Sequence, residues 1–118
     1  MKRDWDLIRK IMIEVEALED LRSSVEPEDI KGYDDEFVSY HIHLLIEAGF
    51  IEGECRKTLG EPLHCWAYRL TWEGHEFLDQ IKAKPVWNKI KGLIRQKGLE
   101  MSIDVIRIAS KQIIKEMF

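Results

Sequence analysis

Tyr40 and His43 stand one turn apart in the apolar-periodic run from Phe37 to Gly49. With Ser39 beside them, they are side chains suited to touching phosphates or base edges if this run is a helix presented to duplex DNA. The plainer alternative is that Tyr40 packs at a helix margin and His43 is merely solvated. Asp34, Asp35 and Glu36 just ahead of them repel phosphate, yet they are also what a helix N-terminus favours. Arg56 and Lys57 lie where a hairpin tip would reach the DNA backbone or minor groove, although two basic residues at a hairpin end are common without any ligand. Between Gln80 and Leu99 there are six basic residues and no acid, and Lys89, Lys91, Arg95 and Lys97 are the best placed of them for phosphate contacts.

Cys55, Cys65, His41, His43 and His64 are metal-ligand types. No Cys-x-x-Cys and no familiar zinc spacing joins them, so no metal site and no cofactor is expected. Cys55 and Cys65 fall on either side of Gly60, where a hairpin would make them cross-strand neighbours. His41 falls on the apolar side of its run, which suits a hydrogen-bonded core histidine. Enzyme chemistry is not expected: the chain has no glycine-rich phosphate loop, no nucleophile elbow and no His-Glu-x-x-His. His75, between Gly74 and Glu76, reads as a surface hydrogen-bonding residue rather than a base.

The elements that must hold these residues follow from periodicity. Residues 4–20 predict a first helix, with Leu7, Ile8, Ile11, Met12, Val15 and Leu18 on its apolar side and Asp4 as cap. Leu21 to Gly32 is polar and contains Pro27, which leaves room for about one helical turn, or for an extended piece that pairs with the hairpin. Asp34 or Asp35 starts the next helix, and Gly49 stops it. Its outward positions are expected to be Glu36, Ser39, Tyr40, His43 and Glu47. Residues 50–71 predict an antiparallel hairpin turning at Gly60 and Pro62. Trp66, Tyr68 and Leu70 alternate there with Ala67 and Arg69, the period of a half-buried strand. Thr71 caps a helix carrying Phe77, Leu78 and Ile81. A further helix runs from about Pro85 to Gln96, and Ser102 caps a last one to about Met117. The apolar surface of that last helix is broader than one stripe, and such a surface suits two contacts, the second with another copy of the chain.

This order (helix, abbreviated turn, glycine-stopped helix, hairpin, capped helix) is that of a winged helix-turn-helix. The expected fold is α+β, mainly α, with an abbreviated second helix, a two-stranded wing and two or three C-terminal helices. Residues 1–84 would form the winged-helix part and residues 85–118 a helical extension packed on it, in one compact domain.

The composition is globular: 118 residues, 45% apolar and 34% charged. No apolar run is long enough to cross a bilayer, and the N-terminus turns acidic before any apolar segment, so a cytoplasmic location is expected. Two cysteines are too few for a disulfide scaffold and are expected to be reduced there. The net charge of −4 argues against a strongly basic nucleic-acid binder, but the charge is unevenly spread. Residues 1–53 hold six Lys/Arg against fourteen Asp/Glu, and residues 54–118 hold twelve against eight. Such a dipole is either a set of solvated faces or a molecule whose basic end meets an acidic partner.

The sequence resembles the bacterial and phage family known as domain of unknown function 2513. The resemblance is carried by Arg3-Asp-Trp-Asp-Leu-Ile-Arg-Lys-Ile, Gly32-Tyr, Ser39-Tyr-His-Ile-His-Leu-Leu-Ile-Glu-Ala-Gly and Arg69-Leu-Thr-Trp-Glu-Gly-His-Glu-Phe-Leu-Asp. Val86-Trp-Asn-Lys-Ile-Lys and Ser102-Ile-Asp-Val-Ile add to it. It implies a winged-helix fold and a bacterial or prophage setting, and brings no activity and no catalytic residues. More loosely, Val38 to Ile51 resembles the recognition helix and first wing strand of ArsR- and MarR-type repressors, and Leu70-Thr-Trp-Glu-Gly their exit from the wing. The chain departs from them in its short second helix and in its acidic first helical turn.

Two functions are therefore expected in competition. One is a DNA-binding transcriptional regulator, acting as a homodimer through its C-terminal helices, with Ser39, Tyr40 and His43 at the groove. The other is a non-enzymatic protein-interaction module on the same scaffold. A basic strip joining helix and wing favours duplex DNA, whereas acid across that face favours a protein.

Overall fold

The computed structural model describes residues 1–117. It is α+β and mainly helical, with five α-helices and one two-stranded antiparallel sheet. The elements are α1 (Trp5–Glu16), a single 3₁₀ turn (Pro27–Asp29), α2 (Asp35–Glu47), β1 (Ile51–Arg56), β2 (His64–Leu70), α3 (Trp72–Ile81), α4 (Lys84–Gln96) and α5 (Ile103–Met117). The chain divides into two units, Met1–Glu76 and a second that begins at Phe77.

Helix α1 starts where Asp4 accepts the backbone N–H of Leu7 at 3.0 Å. It buries Leu7, Ile8, Ile11, Met12 and Val15. It ends at Glu16, four residues short of the expected end. No basic residue stands in its last turn to oppose the dipole, while Glu14, Glu16 and Glu19 crowd it. Beyond it the Asp20 carboxylate gathers the N–H groups of Arg22 and Ser23 and the Ser23 hydroxyl into a local turn. These bonds, that to Arg22 foremost, hold its carboxyl below the ordinary value. The polar segment that follows takes both expected forms at once. Val25 pairs with Ala67 through two backbone hydrogen bonds, and Pro27 opens the 3₁₀ turn.

Helix α2 is capped by Asp34, whose side chain accepts from the N–H of Glu36. At its end Gly49 takes φ +77°, and the N–H groups of Gly49 and Phe50 return to the carbonyls of Ile46 and Leu45. This double bond pattern needs a left-handed residue, which is why glycine stands there. The apolar row Val38, Ile42 and Leu45 is buried as expected.

The hairpin pairs Cys55 with Cys65 and Arg56 with His64, and its register slips between Glu52 and Gly53. That bulge alters the expected alternation. Cys65, Ala67 and Leu70 are the buried residues of β2, whereas Trp66 and Tyr68 are half-exposed on the other face, the indole N–H donating to the Tyr68 hydroxyl at 2.8 Å. One extra residue opposite β1 shifts the parity, so Leu70 returns to the buried side. The expectation of reduced cysteines is also corrected: Cys55 and Cys65 form a disulfide. Cys65 N–H points away from β1 and donates to Ser39 Oγ. The two cysteines therefore oppose each other at a non-hydrogen-bonded pair, where side chains of neighbouring strands come closest.

Thr71 links hairpin to helix. Its hydroxyl donates to the Gly49 carbonyl at 2.6 Å and accepts the N–H of Gly74 at 3.0 Å, and its own N–H donates to the Phe50 carbonyl. Gly74 lies so close to the Phe50 backbone that a methyl group there would run into the Phe50 carbonyl.

In the second unit α4 and α5 pack together, burying Trp87, Ile90 and Ile94 from one and Ile106, Ala109 and Ile113 from the other. Ser102 accepts the N–H of Val105 as the cap of α5. Ile108 and Ile114 both stay exposed, but six residues separate them, roughly 120° around the helix. The apolar excess of α5 is thus split between two sides.

Candidate functional site on the outer face of α2 and the hairpin

Helix α2 is covered on more of its circumference than one apolar stripe requires. His41 is fully buried on the side of α1, where its Nδ1 meets the Phe37 carbonyl at 2.9 Å and its Nε2 accepts the N–H of Asp4 at 2.8 Å. Burial holds this imidazole below its ordinary pKa, against the opposing pull of the Phe37 carbonyl and Asp4. On the other side Ser39 is 1% exposed. Its hydroxyl accepts Cys65 N–H at 3.0 Å, beyond the reach of the Val25 bridge that pairs the same edge of β2 at Ala67. The expectation that Ser39 faces outward is corrected accordingly: the hydroxyl takes the place of a strand carbonyl, because the Val25 segment pairs with β2 only at Ala67.

What remains outward is Glu36, Tyr40, His43 and Glu47, which fall within roughly 60° of arc. His43 and Glu47 are an i, i+4 pair, Nε2 to Oε1 3.3 Å, with 43% and 61% of their side chains exposed. His43 Nδ1 also lies 3.9 Å from Cys55 Sγ. Cys55 is exposed whereas Cys65 is wholly buried. Sulfur, imidazole and carboxylate thus stand in line, on a strand and one helical face. The sequence carried two parts of this arrangement, the cysteines about Gly60 and the i, i+4 spacing of His43 and Glu47. Only the packing of α2 on β1 joins them.

Arg56 and Lys57 are exposed at the end of β1, and the Arg56 guanidinium sits over the Trp66 ring at 5.9 Å. Arg56 also borders a cleft of about 380 Å³ between the start of α2 and the return of the hairpin. Asp34, Asp35, Glu36 and Glu61 line the same cleft, so its polar rim is mainly anionic. His64 on its far wall pairs with Glu26 at 3.2 Å.

The four basic residues singled out in the second unit do not share one face. Lys91 and Arg95 are one turn apart on α4, and Lys84 lies on the same row, all within roughly 40° of arc. Lys91 Nζ is 5.6 Å from the centre of the Trp87 ring. Lys89 lies on another side of the helix, and Lys97 is its C-cap. Among the described residues no three His, Cys, Asp or Glu side chains converge as a metal site would need, and no helix is long and apolar enough to cross a membrane.

Comparison with known proteins adds kinship. A protein of Haemophilus influenzae, described as an uncharacterized protein, is 44% identical over 117 residues, covering 99% of this chain and 98% of its own. No solved structure matches the chain. The family model described as "Hypothetical protein (DUF2513)" matches residues 2–100. With that match and a full-length relative at this identity, the chain belongs to the DUF2513 family.

Proposed function

We propose that this chain is a non-enzymatic interaction module on a winged-helix scaffold, and that α2 docks on a basic protein surface rather than in a DNA groove. The observation that carries the reading is the composition of α2 itself. It holds three carboxylates, is preceded by Asp34, and contains no lysine or arginine. A helix entering the major groove brings its face within a few ångströms of two phosphate rows, and sequence-independent phosphate contacts supply much of the affinity. An outward face of Glu36, Tyr40, His43 and Glu47 offers none of that attraction. The same face suits a basic protein surface, with Tyr40 as an aromatic anchor among carboxylates. The winged-helix part of the reading is supported by element order: α1, the Val25 bridge to β2, a short turn, α2, the hairpin, and α3 capped by Thr71.

The test is amide-resolved NMR of the whole chain titrated with a lysine-rich peptide and, separately, with random-sequence duplex. The expected result is shifts on α2 and the cleft with the peptide, weakened in Glu36→Gln and abolished by salt. Duplex-induced shifts centred on Tyr40 and His43 would overturn the reading.

A DNA-binding regulator is the second reading, and it is favoured by one observation: the row of Lys84, Lys91 and Arg95 on a helix without acid.

A further inference from the structure

We propose that Cys55, His43 and Glu47 form a thiol–disulfide exchange site, with Cys65 as its resolving thiol and a small or protein-borne dithiol as its reductant. The site shares His43 and Glu47 with the outer face of α2, and its chemistry requires no docked partner.

Three observations converge. The first is asymmetry: one sulfur of the bridge belongs to an exposed residue and the other to a residue with no exposure. An incoming thiolate can therefore reach Cys55 Sγ and not Cys65 Sγ. The second is the imidazole beside the accessible sulfur, His43 Nδ1 at 3.9 Å from Cys55 Sγ. The third is the carboxylate behind that imidazole, Glu47 Oε1 at 3.3 Å from Nε2. Glu47 holds the His43 ring from its far edge and leaves Nδ1 facing Cys55, where an imidazole can take the thiol proton and pair with the thiolate. Glu54 and Arg56 flank Cys55 in the chain but lie on the opposite face of the sheet by strand alternation. Among the described charged groups, His43 and Glu47 are thus the ones that face the sulfur from α2. A bridge with only a structural role requires neither the exposed sulfur nor the histidine.

The chemistry balances without any further reagent. The reductant's thiolate bonds to Cys55 Sγ, the bond between the two protein sulfurs breaks, and its electron pair leaves on Cys65 Sγ, which takes a proton. The reductant's second thiol, as thiolate, then attacks its own sulfur in the mixed disulfide. Cys55 departs as a thiolate beside His43 Nδ1. The protein gains two electrons and the dithiol becomes a disulfide. In the reverse direction Cys55 thiolate attacks an external disulfide and Cys65 resolves the mixed species. Exposed thiolates next to a resolving cysteine are the usual form of redox-responsive sites.

The experiment uses the full chain. Wild type reduced with dithiothreitol, then freed of it, is alkylated at neutral pH for timed intervals, and each cysteine is followed by peptide mass spectrometry. Cys55 is expected to react about tenfold faster than Cys65, faster than in His43→Gln, and faster than itself in the urea-unfolded chain. Glu47→Gln is expected to fall between wild type and His43→Gln. Oxidised glutathione is expected to restore the bridge in wild type and to leave a stable mixed disulfide on Cys55 in Cys65→Ser. Circular dichroism establishes that each variant is folded, and the unfolded wild type keeps the comparison valid where one is not. Cys55 reacting at the same rate in folded and unfolded wild type would overturn the proposal. So would a failure of oxidised glutathione to re-form the bridge.

Discussion

The Nε2 atom of His41 accepts the backbone N–H of Asp4 at 2.8 Å, across 37 residues of sequence. This assigns the tautomer: Nε2 carries the lone pair, so Nδ1 carries the proton and donates it to the Phe37 carbonyl at 2.9 Å. One buried neutral ring thereby ties the start of α1 to the first turns of α2. A proton added at Nε2 would face an N–H and break the tie.

This sets a pH dependence. The folded-state pKa of His41 is lowered, chiefly by burial, from its ordinary value of 6.5. Above that value both states are neutral and the residue contributes no slope. As the pH falls below it, the unfolded chain binds a proton that the folded chain refuses, and stability declines until the folded-state pKa is reached. Urea midpoints from pH 8 to pH 5 should show this fall in wild type. His41→Gln should lose that component of it, at a cost of about 1–3 kcal/mol at pH 8 for the bonds left unmade, a cost that shrinks as the pH falls and the wild type weakens. A slope unchanged in His41→Gln would assign the titration elsewhere.

Ser39 and Tyr40 are adjacent in sequence and predict opposite phenotypes. Ser39→Ala leaves the buried N–H of Cys65 without its acceptor and should destabilise the fold by about 1–3 kcal/mol. Tyr40→Ala should change the urea midpoint by less and should weaken docking at the α2 face. Equal stability of wild type and Ser39→Ala would mean that water serves the Cys65 N–H as well as the hydroxyl does.

The joint between hairpin and α3 is the most legible part of the sequence and offers a third prediction. Thr71→Ala removes an N-cap and should cost about 1 kcal/mol. Gly74→Ala should cost more than Thr71→Ala, since the added methyl meets the backbone of Phe50 rather than a side chain that can turn away. Denaturation midpoints in the reverse order would show that α3 can shift away from the hairpin without loss.

What could be read from the sequence is what local rules govern. Asp4, Asp34, Thr71 and Ser102 cap helices, and Gly49 stops one, because each acts within a few residues of itself. Helical periodicity points Ser39 outward because it counts one covered stripe, whereas α2 is covered by α1 on one side and by β2 on the other. Simple alternation gives β2 the wrong parity at Trp66 and Tyr68 because a bulge leaves no strong mark in the residues around Tyr68. The line from Cys55 through His43 to Glu47 lay out of reach for a third reason: it needs the rotation of α2 about its own axis over the sheet, which no single segment encodes.

The row on α4 decides what part, if any, nucleic acid has. Lys84, Lys91 and Arg95 form a cationic face on a helix that carries no acid, while α2 presents carboxylates. Such a row attracts phosphates without reading bases, and each contact releases condensed counterions. Duplex association at low salt should therefore be weak, the same for all sequences, and steeply lost as salt rises. Replacing Lys91 and Arg95 by glutamine should reduce the log–log salt slope by roughly one per lost contact. Lys89→Gln, on another side of the helix, should change the slope less. Tyr40→Ala should leave duplex affinity unchanged. Fluorescence anisotropy with labelled duplexes across a salt series measures all of these. A preferred sequence whose advantage disappears in Tyr40→Ala would require α2 to enter the groove despite its charge, and the interaction-module reading would then give way to the regulator.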